Sequence, residues 1–235
     1  MKIALIGYGR MGKRIAELAI EKGHEVAAKI DSSNKESIHS LPSCDVAIEF
    51  TQPDAAISNF ETLLEQNIPT VTGTTGWYVE MDKVKALCNK HSGKFFYASN
   101  FSPGVFITHH LTARLAEIMN AFDYRAEIKE WHHTGKKDAP SGTAETLAQE
   151  IVRNNQRYST YGLDSGEEDS VRIEAERKGD IKGIHSVKFS SEIDSIEIRH
   201  EAFSRDGFAL GAIMAAEFLI EKNPGFYTMN NLIQL

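Results

Sequence analysis

The stretch KIALIGYGRMG at residues 2–12 decides the first half of the fold. It joins a short apolar run, typical of a buried strand, to three glycines with the spacing GxGxxG. Apolar residues then recur at helical spacing as far as Gly23, which suits the C-terminal cap of a helix. A second predicted strand, over residues 25–30, ends at Asp31. Strand, glycine turn, helix, strand and acid in this order indicate a dinucleotide-binding βαβ unit.

Each glycine of the turn has a steric role in such a unit. Among Gly7, Gly9 and Gly12, we expect one to allow the tight turn, one to let a pyrophosphate reach the backbone, and one to let the helix pack against the strand. The alternative is a strand-to-helix turn that binds nothing, because the same spacing occurs in other folds. Asp31 favours the first interpretation, since it stands where dinucleotide-binding folds place the acid that holds a ribose.

Asp31 also bears on the choice between NADH and NADPH. A carboxylate at this place accepts hydrogen bonds from the ribose hydroxyls of NADH, and neither Ser32 nor Ser33 is an arginine that would hold a 2′-phosphate. We therefore predict that NADH serves at least as well as NADPH. The two serines and Lys35 could still receive the extra phosphate, so both cofactors remain open.

Alternating strands and helices continue after Asp31. We predict strands over residues 45–50, 70–72 and 94–98 and a helix over residues 54–66. Each strand ends in a small polar or glycine-bearing loop, and ligands bind at this carboxyl edge of an open parallel sheet. The loops FTQP and GTTG, at residues 50–53 and 73–76, also have the composition of ordinary connections.

The pattern changes near residue 103. A helix predicted over residues 103–120 is followed by strands with alternating apolar residues near positions 124–128, 171–175 and 196–198, while residues 154–170 read as an irregular loop. A final apolar helix is predicted over residues 208–221. The fold class is therefore α/β, with an N-terminal Rossmann-like parallel sheet domain and a second α+β domain built on an open mixed or antiparallel sheet. We place the dinucleotide-binding domain at residues 1–102 and 206–235, and the second domain at residues 103–205.

The segment HHTGKKDAPSGT at residues 132–143 brings most of the candidate catalytic and binding residues of the second domain together in twelve positions. A helix starting after Ser141 would direct the backbone amides of Gly142 and Thr143 towards an anion. Next to it, His132 and His133 can move protons near neutral pH. The segment thus predicts a site for a small carboxylate or phosphate compound with acid chemistry attached. A solvated connection before a capped helix is the alternative.

Composition narrows the classes of partner. The net charge of −7 argues against a nucleic-acid partner, and no apolar run approaches the roughly 20 residues that cross a bilayer. Cys44 and Cys88 form neither a CxxC pair nor a metal-binding spacing, and no signal peptide precedes the first strand, so we expect a cytoplasmic protein. The pairs His109–His110 and His132–His133 lack the carboxylate and cysteine spacing of metal motifs, so we expect no metal.

Six motifs in order make the whole chain resemble the dihydrodipicolinate reductase family. They are GYGRMG at 7–12, EFTQP at 49–53, GTTG at 73–76, SNFSPGV at 99–105, WHHTGKKDAPSGTA at 131–144 and HEAFSRDGFALGA at 200–212. The fifth motif is highly specific. The family's glycine turn commonly has one residue more than GYGRMG, and this chain is shorter than many members.

The resemblance implies a role for each matching residue. It makes His132 the general acid or base and Lys136 the proton donor, while His133, Gly142 and Thr143 bind the substrate. It also implies a set of residues that line the dinucleotide: Gly7, Tyr8, Gly9, Arg10, Met11, Gly12, Asp31, Gly73, Thr74, Thr75, Ala98, Ser99, Asn100 and Phe101. We interpret Asp138 as an organiser of the turn and Lys137 as dispensable.

The same resemblance implies an activity and an assembly. The activity is reduction of 4-hydroxy-tetrahydrodipicolinate, a small cyclic dicarboxylate, to tetrahydrodipicolinate with loss of water, by NADH or NADPH, in diaminopimelate and lysine biosynthesis. The assembly is a homotetramer formed through the second domain. Two rival functions are a sugar or amino-acid dehydrogenase and a nucleotide-sensing module. Arg199, His200 and Arg205 would either add positive charge to the substrate site or solvate a sheet edge.

Overall fold

The computed structural model describes residues 1–234, which form two compact units. The second unit is Gly104–Arg205, and the first contains residues 1–103 together with the segment from Asp206 onward. This division lies one residue after the predicted boundary at 102/103. Within residues 1–234, no helix is both long and apolar enough to cross a membrane.

Strands and helices follow one another along the chain in this order: β1 Lys2–Ile6, α1 Arg10–Glu21, β2 Glu25–Ile30, β3 Val46–Glu49, α2 Pro53–Glu65, β4 Thr70–Thr72, α3 Met81–Lys90, β5 Lys94–Tyr97, α4 Pro103–Ile118, β6 Arg125–His132, α5 Gly142–Asn154, β7 Thr160–Leu163, β8 Ser170–Arg177, β9 Ile184–Ser190, β10 Ser195–Glu201, α6 Asp206–Ile220, β11 Gly225–Tyr227 and α7 Met229–Leu232. Short 3₁₀ turns lie at Lys35–Ser40, Tyr78–Glu80 and Met119–Ala121.

A six-stranded parallel sheet forms the first unit, with the strand order β11-β5-β4-β3-β1-β2. The central strands β1, β3 and β4 are buried at every position except Lys2, and their burial does not alternate, as is typical of a parallel sheet that helices cover. The order changes direction between β1 and β3, and open parallel sheets bind ligands at the carboxyl edge of such a point. The predicted Rossmann-like sheet is confirmed.

The second unit is built on a five-stranded mixed sheet with the order β10-β9-β6-β8-β7. The central strand β6 runs antiparallel to β9 and parallel to β8. Its residues alternate between buried and less buried positions, and the buried side packs under Leu147, Ala148 and Ile151 of α5. This arrangement confirms the predicted mixed sheet and brings the end of β6 close to the start of α5.

One predicted loop is wrong. Residues 154–170 contain the strand β7, which pairs in parallel with β8 at the edge of the sheet. Its sequence, TYGL, includes a glycine and has a weak strand signal, so pairing with β8 determines its conformation. The strand β9 was not predicted because its sequence, IHSVKFS, is buried at successive positions and does not alternate. The helix α3 and the edge strand β11 were not predicted either.

Candidate active site

The glycine turn between β1 and α1 has no room for a side chain at two of its positions. A Cβ atom on Gly7, whose φ is +96°, would lie 1.9 Å from the carbonyl oxygen of Phe50, and a Cβ on Gly12 would lie 2.4 Å from that of Gly7. A Cβ on Gly9 would point into open space. No side chain caps α1, so the amides at its start are available to an anion. The turn therefore fits a pyrophosphate.

Asp31 lies beside this turn. The backbone amides of Gly7 and Tyr8 donate to the carbonyl of Ile30 at 2.9 and 2.8 Å, which places the end of β2 against the glycines. The exposed carboxylate of Asp31 accepts hydrogen bonds from the hydroxyl of Ser33 at 2.6 Å and from its amide at 2.8 Å. The hydroxyl bond is the main reason why the pKa of Asp31 is lowered. An ionised acid at this position suits the ribose hydroxyls of a dinucleotide.

Glu49, the last residue of β3, is completely buried and joins two loops at the carboxyl edge of the parallel sheet, of which the second was predicted to line the cofactor. Its Oε2 accepts a hydrogen bond from the hydroxyl of Thr72 at 2.6 Å, and its Oε1 accepts one from the hydroxyl of Thr51. The amide of Thr51 donates to Oγ1 of Thr74 at 2.7 Å, which links the loop after β3 to the loop after β4. Burial raises the pKa of Glu49, and these hydroxyls offset only part of the effect.

Phe50 brings three predicted cofactor segments together. Its carbonyl contacts the glycine turn, its ring would clash with a Cβ on Gly73 at 2.1 Å, and its ring centroid lies 5.8 Å from that of Phe101. Because the side chains of Ala98 and Phe101 are buried, these two residues can offer a dinucleotide only their backbone groups. The remaining predicted cofactor residues occupy the same segments: Tyr8, Arg10, Met11, Thr75, Ser99 and Asn100.

The start of α5 has two unbonded amides. Its N-cap is Ser141, whose hydroxyl oxygen accepts a hydrogen bond from the amide of Ala144 at 3.2 Å. The amide of Ser141 itself donates to Glu130. Within residues 1–234, the amides of Gly142 and Thr143 have no acceptor. The helix dipole adds partial positive charge here, so these two amides suit the carboxylate that the sequence predicts; we call the pair the amide clamp.

Glu130 is the buried centre of the second unit's polar cluster. Its two carboxylate oxygens accept hydrogen bonds from the amide of Ser141 at 3.1 and 3.2 Å, and Oε1 accepts one from Nη2 of Arg177 at 2.9 Å. Its Oε2 lies 3.6 Å from both Nδ1 of His132 and Nε2 of His185. Burial by itself raises the pKa of Glu130, but His185, Ser141 and Arg177 outweigh that effect and lower it to about 2.

His132, at the end of β6, presents one ring nitrogen to this cluster. Nδ1 is buried and has no hydrogen-bond partner within residues 1–234, and its nearest polar neighbour is Glu130. Burial lowers the pKa of His132 to about 4, because the attraction of Glu130 offsets only part of the desolvation. The imidazole is therefore neutral near pH 7. The other ring nitrogen of His132, Nε2, lies next to Gly183. A Cβ atom at residue 183 would lie 3.3 Å from Nε2 and crowd it, so a glycine there leaves Nε2 accessible from that side.

The turn after β6 holds its two lysines in different surroundings. Nζ of Lys136 donates to Oδ2 of Asp138 at 2.7 Å, and the Lys136 side chain is only 22% exposed, whereas Lys137 is exposed. The hydrogen bond from Lys136 lowers the pKa of the Asp138 carboxyl group. The backbone carbonyl of Asp138 accepts a hydrogen bond from Nη2 of Arg177 at 2.5 Å. Asp138 thus has structural partners within the turn. His133 is partly exposed, and its carbonyl accepts the amide of Lys136 at 3.1 Å.

Three potential metal ligands meet in the second unit, although we expected no metal. One donor atom from each of Glu130, His132 and His185 lies within 4.8 Å of the others. Two of the donors are already engaged, since Arg177 neutralises the carboxylate and Nε2 of His185 is hydrogen-bonded to the hydroxyl of Ser141 at 3.1 Å. A dication would add to the positive charge of the guanidinium, so the chemistry of this donor set does not favour a metal.

The other polar candidates lie outside this cluster. His109, on α4, is partly buried. Desolvation, together with nearby His185, lowers its pKa to about 4, so its imidazole is uncharged near pH 7 and supplies no charge to a ligand. Arg199 lies over the ring of Trp131 at 5.6 Å and bonds Glu201 at 3.1 Å. Arg199 therefore fits the alternative in which it covers the sheet surface.

Four residues of these networks were absent from the predicted site: Glu49, Glu130, Arg177 and His185. Glu130 had a detectable signal, because it continues the buried phase of β6 that begins with Ala126 and Ile128. An acid on the apolar side of a strand needs a partner. Arg177 and His185 had no local signal, since only the pairing of β8 and β9 with β6 brings them to Glu130.

Comparison with known sequences identifies similar proteins along the whole chain. Residues 1–101 match the family model described as dihydrodipicolinate reductase, N-terminus, and residues 104–233 match its C-terminus. The chain is 44% identical to a 4-hydroxy-tetrahydrodipicolinate reductase of Christiangramia forsetii over 99% of this chain and 98% of the relative. A protein of the same description from Staphylococcus epidermidis is 39% identical over 99% of this chain and 100% of its own length.

Solved structures show the same fold. A dipicolinate-bound dihydrodipicolinate reductase from Paenisporosarcina superposes with a TM-score of 0.77 and 22% identity, with 99% of each chain covered. An aspartate dehydrogenase from Thermotoga maritima superposes with a TM-score of 0.51 and 16% identity, with 94% of this chain and 97% of that chain covered. At these identities the likeness establishes the fold alone.

Proposed function

The chain belongs to the dihydrodipicolinate reductase family, and from this premise we propose how its residues carry out the reaction. The reaction is the NAD(P)H-dependent reduction of 4-hydroxy-tetrahydrodipicolinate to tetrahydrodipicolinate with loss of water, in lysine and diaminopimelate biosynthesis. The observation that supports our assignment of roles is the assembly of His132, the amide clamp and Lys136 around the turn that follows β6. Neither a sugar dehydrogenase nor a nucleotide sensor needs this set.

The first unit would hold the dinucleotide. The open space at Gly9 and the uncapped start of α1 suit the pyrophosphate, and Asp31 suits the adenosine ribose. The loops joined by Glu49 and Phe50 would line the nicotinamide end. The bound cofactor supplies the hydride, and the protein supplies orientation and charge.

The amide clamp and its neighbours would bind the dicarboxylate. One substrate carboxylate would accept hydrogen bonds from the Gly142 and Thr143 amides, and His133 with Lys136 would face the remaining polar groups. Nζ of Lys136 donates to the Asp138 carboxylate, and a substrate carboxylate would compete with Asp138 for the same ammonium group. A two-carboxylate ligand explains why a helix start and a cation occur together.

Proton handling would divide between two residues. The hydroxyl group and one ring proton would leave as water to give a conjugated imine. Hydride addition to its unsaturated ring carbon then builds negative charge on the nitrogen side, and a proton delivered by Lys136 would neutralise that charge. His132 is neutral near pH 7 because burial lowers its pKa to about 4. It would therefore accept a hydrogen bond or a proton at Nε2 and would not begin the reaction as a protonated acid.

A coupled assay tests this function. The product of the preceding synthase reaction is added to the protein with NADH or NADPH, and the loss of nicotinamide absorbance is followed. Oxidation that depends on both the protein and the substrate is expected. If no absorbance change occurs with either cofactor, the proposed function is wrong.

Cofactor preference, assembly and location complete the proposal. We infer NADH to be at least as good a cofactor as NADPH because Asp31 is ionised and Ser33 is already bonded to it. A hundredfold preference for NADPH in the specificity constants would refute this. Family membership supports a homotetramer, which light scattering would measure, and a cytoplasmic location suits a biosynthetic enzyme.

A further inference from the structure

The cluster around Glu130 connects two functional elements that the proposed function treats separately. His132 handles protons and the amide clamp binds a carboxylate, and they lie on different secondary structure elements, β6 and α5. Apolar packing holds the two elements together, and a side chain that contacts both of them can fix the spacing of their polar groups to the accuracy that catalysis requires.

Glu130 makes that contact on the side of α5. Both of its oxygens accept a hydrogen bond from the amide of Ser141, the residue that immediately precedes the clamp. This bond satisfies the N-cap amide and leaves the next two amides for the ligand. The position of the clamp is thus defined relative to a side chain of β6.

Glu130 also faces the buried nitrogen of His132. Oε2 of Glu130 lies 3.6 Å from Nδ1 of His132, which has no other polar partner within residues 1–234. The two atoms form no hydrogen bond at this distance, but the negative charge of the carboxylate favours a proton on Nδ1, which leaves the lone pair on Nε2, the nitrogen beside Gly183. The carboxylate therefore selects the tautomer that can accept a proton from the substrate side.

Arg177 gives the buried carboxylate a counterion. Its Nη2 donates to Oε1 of Glu130 at 2.9 Å and its guanidinium also bonds the Asp138 carbonyl, which ties the turn that carries Lys136 to the same cluster. A buried carboxylate without such a partner would be costly and would tend to protonate.

We propose that Glu130 is the positioning residue that fixes the tautomer of His132 and the place of the amide clamp at the same time, with Arg177 as its counterion. The inference rests on the roles proposed above for His132 and the clamp. It adds a residue that does not touch the substrate but acts on both groups that do.

The substitution Glu130→Gln separates the two effects. The Gln side-chain oxygen can still accept the Ser141 amide, so the dissociation constant for dipicolinate, a planar dicarboxylate, should stay within about threefold of wild type. The charge opposite His132 is lost, so kcat should fall by about 10- to 100-fold. The ¹⁵N shifts of the His132 ring, assigned with His132→Asn, should show loss of the tautomer with a proton on Nδ1. Glu127→Gln, on the opposite side of β6, is the matched control and should change neither quantity.

The outcomes distinguish the hypotheses. An inactive wild-type protein contradicts the proposed function itself, whereas an active wild type with an equally active Glu130→Gln variant contradicts only this inference. A parallel loss of kcat and dipicolinate binding with an unchanged tautomer shows a merely structural role and also overturns it. If Glu130→Gln does not fold, Glu130→Asp keeps the charge but shortens its reach, and a wild-type kcat in that variant would equally contradict the inference.

Discussion

Two buried glutamates at the ends of strands, one in each unit, have opposite electrostatic surroundings. Glu49 and Glu130 are both 0% exposed. Glu49 receives hydrogen bonds from threonine hydroxyls and, within residues 1–234, forms no ion pair, so burial raises its pKa. Glu130 faces Arg177, two imidazoles and a backbone amide, so its pKa falls to about 2 despite burial.

The difference shows how one residue type serves two purposes. In the first unit, Glu49 braces loops whose backbone would contact a dinucleotide, and this needs hydrogen bonds but no charge. In the second unit, Glu130 must orient a histidine and balance a guanidinium, which requires an ionised carboxylate. The buried glutamate of the first unit thus holds loops in place, whereas that of the second unit supports proton chemistry.

The largest effect should come from the proton donor in the second unit. Lys136→Ala should lower kcat by about 10²- to 10⁴-fold, the usual contribution of a positioned acid, while the dissociation constant for NADH stays unchanged. Lys137→Ala, on the exposed neighbour, is the control and should retain wild-type kcat. Equal losses in the two variants, measured by steady-state kinetics, would break the assignment of proton chemistry to this turn.

Amide substitutions of the two glutamates should affect stability differently. Glu130→Gln should lower the free energy of unfolding by about 3 kcal/mol, because it leaves the partly buried guanidinium of Arg177 without its counterion. Glu49→Gln should change it by less than about 1 kcal/mol, since burial already disfavours the charge that the substitution removes. Urea unfolding at neutral pH measures both values. Similar losses for the two variants would contradict the comparison.

The pH dependence of stability should separate the same pair. The pKa of Glu130 in the folded protein, about 2, is below its ordinary value of 4.5, so its contribution is complete above pH 4.5 and is lost as the pH falls towards 2. The pKa of Glu49 is raised, so its ionisation costs stability as the pH rises above 4.5. The stability advantage of wild type over Glu130→Gln should therefore shrink between pH 6 and pH 3. An advantage that is independent of pH would show that charge is not its source.

A smaller effect is expected from the exposed acid of the first unit. Asp31→Asn should raise KM for NADH by about tenfold, the equivalent of one charge-assisted hydrogen bond to a ribose, with kcat nearly unchanged. Ser32→Ala provides a control at an adjacent position that does not bond Asp31. A loss of kcat without a change in KM would indicate that Asp31 takes part in proton transfer, which would contradict the assignment of proton chemistry to the second unit.

Much of the first unit follows from local sequence, because parallel strands between helices are short apolar runs and the glycine turn has steric requirements at Gly7 and Gly12. The start of α5 was also predictable, since Ser141 before Gly142 is a local N-cap signal. Both kinds of feature are decided within a few neighbouring residues.

The polar clusters were harder to predict because their members are distant in sequence. Arg177 and His185 reach Glu130 only through the register of β8 and β9 with β6. The network of Glu49 likewise depends on the pairing of β3 with β4, which brings Thr72 beside it. Periodicity describes the buried side of a strand but does not specify which strands become neighbours.

A crossed binding experiment tests the division between the units most directly. Dissociation constants for NADH, and for dipicolinate at saturating NADH, are measured for Glu49→Ala and Glu130→Ala at a temperature where circular dichroism shows both variants folded. We expect Glu49→Ala to weaken NADH binding by about tenfold and to leave dipicolinate binding unchanged. Glu130→Ala should weaken dipicolinate binding by about tenfold and leave NADH binding unchanged, because the Ser141 amide loses its acceptor. If each substitution weakens both ligands equally, the two glutamates do not organise separate sites and the central claim is wrong.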